Sequence, residues 1–196
     1  MTPWIDELIL EGKSITLLPL EASNQKELLA AAADGELWKL WYTSVPSATT
    51  ISDYINTAIA ARKAGTAYPF VVWHKSSQKI IGSTRFYSLE AHNKRLDIGF
   101  TWYAQSFQQT RVNTECKFLL LQHAFESLNC IAVQFLTDWH NLRSRQAIAR
   151  LGAKQDGVLR HHRLNPDGSF RDSVVFSITN NEWPGVKKNL NLKLNR

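Results

Sequence analysis

Hydrophobic and polar positions alternate from Lys13 to Leu20 (KSITLLPL), and the run ends at a proline, as a first strand would. Ser23 is then placed to cap a helix running through Leu28, Leu29 and Ala30 to Ala33, up to Asp34-Gly35. Beyond Pro46, Ile51, Tyr54, Ile55, Ala58 and Ile59 recur at helical spacing before Gly65, which predicts a second amphipathic helix with Thr50 as its cap. Three strand-like runs follow: Ala67 to His74, Lys79 to Tyr87 and Leu96 to Tyr103. Polar spacers as short as Lys75-Ser76-Ser77-Gln78 predict an antiparallel meander.

The pattern changes after Tyr103. Thr114 starts a helix whose Phe118, Leu121, Phe125 and Leu128 form a stripe widened by Leu120 and Ala124, and Cys130 to Asp138 reads as a strand. Strand, helix, strand at this spacing predicts a parallel crossover. Asn141 caps a shorter helix with Ser144, Ala147, Ile148 and Leu151 on one face and Gly152 past its end. Two last strands flank the turn Asn165-Pro166-Asp167-Gly168. The residues from Lys187 to Arg196 read as a loose polar tail.

Composition narrows the picture. The 196 residues, 44% of them hydrophobic, are enough for one domain with a real core, and no linker or repeat divides them. No apolar run reaches the ~18 residues a membrane span needs, and the N-terminal segment has no basic start before an apolar stretch. Two cysteines, Cys116 and Cys130, make no disulfide framework and fit a reducing cytoplasm, with core filling as their expected role. A net charge of +6 favours anionic partners.

The nine glycines are never two apart, so neither G-x-G-x-x-G nor G-x-x-x-x-G-K occurs, and dinucleotide and nucleoside triphosphate sites lose their usual signatures. The six histidines fall in no zinc-type spacing, no serine lies in G-x-S-x-G, and no metal site is expected.

One segment carries positive chemical content. Gln108-Gln109-Thr110-Arg111-Val112-Asn113 lies between a strand and a helix, where backbone N–H groups and the helix dipole can hold a phosphate. Together with Asn113-Thr114-Glu115-Cys116-Lys117, His123-Ala124-Phe125-Glu126, Arg143-Ser144-Arg145, Arg150-Leu151-Gly152-Ala153, Gly157, Leu159-Arg160, His162, Asp167-Gly168 and Glu182-Trp183-Pro184, it resembles the RimJ/RimL-like branch of the GNAT acetyltransferases over about residues 10–188. The family signature Q/R-x-x-G-x-G/A falls on Gln108 to Asn113, with Arg111 and Asn113 replacing the two glycines.

The resemblance implies an α+β (mixed α/β) GNAT fold: a mostly antiparallel twisted sheet of about seven strands with one parallel splayed pair, flanked by about four helices. It implies a single domain over 10–188, with 189–196 a polar tail, and a cytoplasmic enzyme moving acetyl from acetyl-CoA to a primary amine. In that reading Thr101, Trp102 and Tyr103 supply a backbone N–H to the thioester oxygen. Gln108, Gln109, Thr110, Arg111, Val112, Asn113 and Thr114 cradle the pyrophosphate. Asn113 takes the left-handed backbone that glycine usually supplies. Lys117, Asn141, Arg143 and Arg145 flank the cofactor and its 3′-phosphate. Asp97, eleven residues before Gln108, is the candidate base; alternation places it with Gly99 and Thr101, opposite Ile98 and Phe100, and its other reading is an ion pair with Arg95 or Lys94. No tyrosine follows Tyr103, so Ser144 is the candidate acid or hydrogen-bond donor for the thiolate.

Trp38, Trp41, Tyr42, Arg85, His162 and Trp183 are expected to line the acceptor groove. The acceptor is a small-molecule or peptide amine, with no membrane partner, nucleic acid only by way of a ribosomal-protein substrate, and homodimerisation left open. The alternatives are a non-catalytic acyl-CoA-binding pseudoenzyme and a basic RNA- or ribosome-binding module, although Lys and Arg are spread rather than striped.

Overall fold

The computed structural model describes residues 4–165 and 167–195. Its eight strands are β1 (Leu10–Glu11), β2 (Ile15–Pro19), β3 (Ala67–His74), β4 (Lys79–Glu90), β5 (Arg95–Tyr103), β6 (Ala132–Asp138), β7 (Lys154–Leu164) and β8 (Phe170–Thr179). Its five helices are α1 (Gln25–Ala33), α2 (Ile51–Lys63), α3 (Val112–Gln122), α4 (Leu142–Leu151) and α5 (Trp183–Leu194). The strands form one sheet in the order β1-β2-β3-β4-β5-β6-β8-β7, antiparallel except for β5 with β6. That is the mixed GNAT-type fold the sequence pattern predicts, with one more strand and one more helix.

Two hydrophobic cores sandwich the sheet. Leu28, Ala32, Ile51, Ile55 and Ala58 of α1 and α2 pack on Val71, Ile80 and Trp102 on one face. On the other, Cys116, Leu120 and Leu121 of α3, Ile148 and Leu151 of α4, and Trp183, Val186 and Leu190 of α5 pack on Ile15, Phe86, Ile98 and Phe135. Both cysteines are buried and free, as core filling requires.

Several local expectations change. Ser23 lies inside a 3-10 turn, and the α1 entrance is closed by Glu21 and Asn24, whose side chains each bond the other residue's backbone. Thr50 does sit at the N-cap of α2, yet its hydroxyl accepts from Ser47 N rather than from the helix. Asn141 caps α4 through Ser144 N at 3.0 Å, and Gly152 ends it at φ 110°, both as the sequence implies. Helix α3 begins at Val112 rather than Thr114. The expected loose tail is instead the body of α5, whose Leu190 is fully buried. The predicted turn at 165–168 lies partly outside the described residues, at Pro166.

Candidate active site

Strands β5 and β6 pair for only three residues, Arg95, Leu96 and Asp97 against Ala132, Val133 and Gln134. Beyond that point they diverge, and Ile98–Tyr103 faces Phe135–Asp138 across a cleft of about 610 Å³. The divergence leaves one edge of β5 without a strand partner. Ala104 N–H donates to Ile81 O of β4 at 2.8 Å, so strand alternation turns the N–H groups of Tyr103 and Thr101 the other way, to the open edge. Trp102, the third expected donor, packs its ring in the α1/α2 core and donates through Nε1 to Tyr54 Oη at 3.2 Å.

A bulge interrupts β5 at Phe100. Its φ is 51°, and the register against β4 slips between Ser83 and Arg85. The extra residue resets the alternation, which corrects the sequence expectation for this strand. Thr101 joins Ile98 and Tyr103 on the α3 face, where it meets Lys117, while the Phe100 ring turns to Tyr87 and Arg85. Thr101 and Asp97 therefore do not share a face.

At the far end of β5 the loop runs into α3. Gln108 ties three elements, donating from Nε2 to Tyr103 O at 2.9 Å and accepting from Arg143 of α4 at 3.0 Å. The left-handed residue of the loop is Gln109, at φ 60°. Asn113 is helical and accepts from Tyr103 Oη at 3.2 Å, so the backbone role assigned to it falls four residues earlier. Thr110 Oγ1 donates to Phe107 O and accepts from Val112 N, which caps the entrance. The first-turn N–H groups of α3 that follow have no intrahelical acceptor and point out of the helix end. Gln108, Gln109, Thr110 and Asn113 line the cleft. Val112 is buried in the core, and Arg111 is exposed at the N-cap. Glu115, which could have repelled a phosphate, is buried and turned away to Ser14, whose N–H it accepts at 2.8 Å.

The remaining expected residues separate. Asn141, Arg143 and Ser144 line the cleft, and the Ser144 hydroxyl has no hydrogen-bond partner among the described residues. Arg145 points elsewhere, stacked on Trp139 at 4.4 Å and donating to its carbonyl. Lys117 does not flank a surface phosphate position, because its side chain is buried at 5% exposure under β5. Its Nζ is 2.5 Å from Thr101 Oγ1 and 3.4 Å from Thr84 Oγ1. Burial pushes this ammonium down to about 8. Asp97 sits at the apex of the divergence, 9% exposed, its carboxyl raised by burial against the opposing hydrogen bond with Ser88 and the charge of Arg95.

Of the acceptor residues, Tyr42 lines the cleft, and Trp41 is 63% exposed with its ring 5.5 Å from His140. Trp38 packs against the α1/α2 core instead. Arg85 is buried between Phe100, at 4.0 Å, and Tyr54. His162 bonds Ser173 Oγ at 3.0 Å, its ring pushed down by burial and by Arg163 and Arg171. Trp183 stacks on Phe125 in the core at 5.3 Å and bonds Glu126.

Sequence reasoning missed Tyr87, Asp138, Arg150, Arg163 and Arg171, all at the cleft. Arg163 and Arg171 face each other across the β7–β8 hairpin, a like-charge pairing that is unfavourable unless something else uses the charge. Asp138, 2% exposed, lies 3.3 Å from Arg171 Nε without hydrogen-bond geometry. It is the one carboxylate among the described residues lining the cleft, against Lys117, Arg143, Arg150, Arg163 and Arg171.

Comparison with known proteins matches this geometry. Residues 14–154 match the family model described as an acetyltransferase (GNAT) domain. A Bacillus subtilis (strain 168) protein named "Putative ribosomal N-acetyltransferase YdaF" is 29% identical over 108 residues, 55% of this chain and 58% of its own length. The Escherichia coli (strain K12) protein named "[Ribosomal protein uS5]-alanine N-acetyltransferase" is 26% identical over 129 residues, 63% of each chain. These alignments thus span about three fifths of the relatives' length. A solved structure titled as an acetyltransferase from T. thermophilus superposes with a TM-score of 0.85 at 32% identity, covering 97% of this chain and 99% of that one.

Proposed function

The chain belongs to the GNAT acetyltransferase family, and from that premise we propose that it is an acetyl-CoA-dependent N-acetyltransferase of the RimJ/RimL-like kind acting on a primary amine in the cytoplasm. The observation that carries this reading is the divergence of β5 from β6, which exposes a bare strand edge ending at the N-terminus of α3. A pantetheine arm with amide groups suits the edge, and a pyrophosphate suits the helix end. The basic lining of the cleft suits an anionic cofactor, and Arg143, held by Gln108, stands beside the phosphate end.

In this reading Gln108, Gln109, Thr110, Asn113 and Thr114 hold the pyrophosphate, with Arg111 contributing from the rim. The N–H of Thr101 or Tyr103 binds the thioester oxygen, whose charge grows in the transition state; a fixed donor of this type in a dry site is worth about 3 kcal/mol. Asp97, near the diverging point and reluctant to ionise in its buried setting, takes the proton of the incoming ammonium by way of Tyr87 or water. Ser144, on the opposite wall, hydrogen-bonds the sulfur. The acceptor enters beside Tyr42, Trp41, Arg163 and Arg171, and the names of the relatives make a protein N-terminus, such as that of a ribosomal protein, the first candidate.

The test is release of free thiol from acetyl-CoA in the presence of N-terminal peptides of ribosomal proteins and of small amines. Turnover with a peptide series, its product acetylated on the α-amine, is the expected outcome. Tight acetyl-CoA binding with no turnover across both panels would instead establish an acyl-CoA-binding protein without catalysis.

A further inference from the structure

Lys117 combines three features that packing alone does not require. It is buried at 5% exposure, it reaches the cleft, and its Nζ meets only the hydroxyls of Thr101 (2.5 Å) and Thr84 (3.4 Å), themselves 2.8 Å apart. Among the described residues no carboxylate forms an ion pair with it. A buried cation without a counter-charge is a cost that folding would avoid by placing a leucine or methionine there. The bulge at Phe100 is what turns Thr101 toward Lys117 rather than away from it.

Departure of the CoA thiolate needs a proton, and the chain lacks the obvious donors. No tyrosine follows Tyr103, and the Ser144 hydroxyl is far too weak an acid for the task near neutral pH. We propose that Lys117 is the proton source for the departing thiolate, passing its proton through the hydroxyl of Thr101; this rests on the acetyl-transfer reading above.

The step balances. The amine nitrogen attacks the thioester carbon, and the carbonyl pair moves to oxygen. When that pair returns, the C–S bond breaks and its electrons go to sulfur. Thr101 gives its hydroxyl proton to the sulfur and receives one from the Lys117 ammonium. The neutral lysine is recharged by the proton shed from the acetylated nitrogen or from solvent. Lys117 touches the leaving group only through Thr101, so it is a positioning and relay residue rather than a catalytic one.

The groups around Nζ support this assignment. Strand β4 presents Thr84, β5 presents Thr101 and Tyr103, and α3 presents the Cys116 thiol, itself held protonated by burial. Glu115 faces Ser14, and across the cleft Asp138 lies against Arg171 while Arg143 bonds Gln108. An ammonium lowered to about 8 lies close to the ordinary thiol range of about 8.5, where proton transfer to a departing thiolate is well matched.

The test compares the wild-type enzyme with Lys117→Gln, Lys117→Arg and Thr101→Val. In Lys117→Gln, kcat should fall about a hundredfold while KM for acetyl-CoA stays within about threefold. The wild-type kcat should decline above about pH 8 as the ammonium is lost, and that limb should vanish in Lys117→Gln. Arginine keeps the charge but does not release its proton, so Lys117→Arg should remain slow. Thr101→Val, nearly isosteric, should lower kcat even if Lys117 variants fold poorly. Restored turnover in Lys117→Arg, an alkaline limb that persists in Lys117→Gln, or full turnover in Thr101→Val would each overturn the relay. A wild type that transfers acetyl to no amine would overturn the acetyl-transfer reading and the relay together.

Discussion

Replacing Lys117 by methionine should make the folded protein more stable at neutral pH while slowing turnover. An unfolded lysine titrates near 10.4 and the folded one at about 8, a difference worth roughly 3 kcal/mol for a group this buried. The sign follows from proton counts. Below about pH 8 both states hold the proton and the buried charge weighs in full. Between 8 and 10.4 the unfolded state binds the extra proton, so wild-type stability rises with pH. Thermal melts should therefore show Lys117→Met several degrees above wild type at pH 7, with the gap narrowing toward pH 10. A variant that melts lower at pH 7 would mean that the ammonium is a net stabiliser. The sequence hinted at this burial: Lys117 shares a helical stripe with Leu120, Leu121 and Ala124, but a lysine on such a stripe reads as a solvated charge. The loop told a similar story. Its residues were legible as an anion site, whereas the left-handed position was not, because any polar residue there can adopt it and only the helix start at Val112 moves it from Asn113 to Gln109.

Elements were more legible than residues because period and caps are local signals. The order of strands and helices and the crossover to β6 all follow from alternation and helical spacing, and so does the cap at Asn141. The bulge in β5 was invisible, since Phe100 continues the apolar pattern and only the slipped register against β4 exposes it. Helix α5 was legible in principle: Trp183, Val186 and Leu190 recur at i, i+3 and i+7 with Pro184 at its start, but the intervening lysines and asparagines masked them. The bulge carries the element-scale prediction. Deleting Phe100 should restore simple alternation, rotate Thr101 away from Lys117 and remove most acetyl transfer. The fold should survive, because an unbulged β5 can still pair with β4 and the residue removed is 40% exposed. Near-wild-type activity with intact far-ultraviolet circular dichroism would show that the bulge does not position the site.

At the scale of the whole molecule, the sheet is pried open between its only parallel strands, and helices on both faces hold it that way. That opening places a bare strand edge, a helix N-terminus and a ring of arginines around one cleft, and the positive net charge is concentrated where an anionic cofactor would lie. The acceptor was the least legible part, because its residues come from α4, β7 and β8 as well as from the α1–α2 connection, and no local sequence pattern joins them. Calorimetric titration of acetyl-CoA into the purified protein tests the central claim most directly. The account predicts saturable one-to-one binding well below millimolar concentration, weakened by added salt as charged phosphate contacts are screened. Absence of binding at millimolar acetyl-CoA would contradict it.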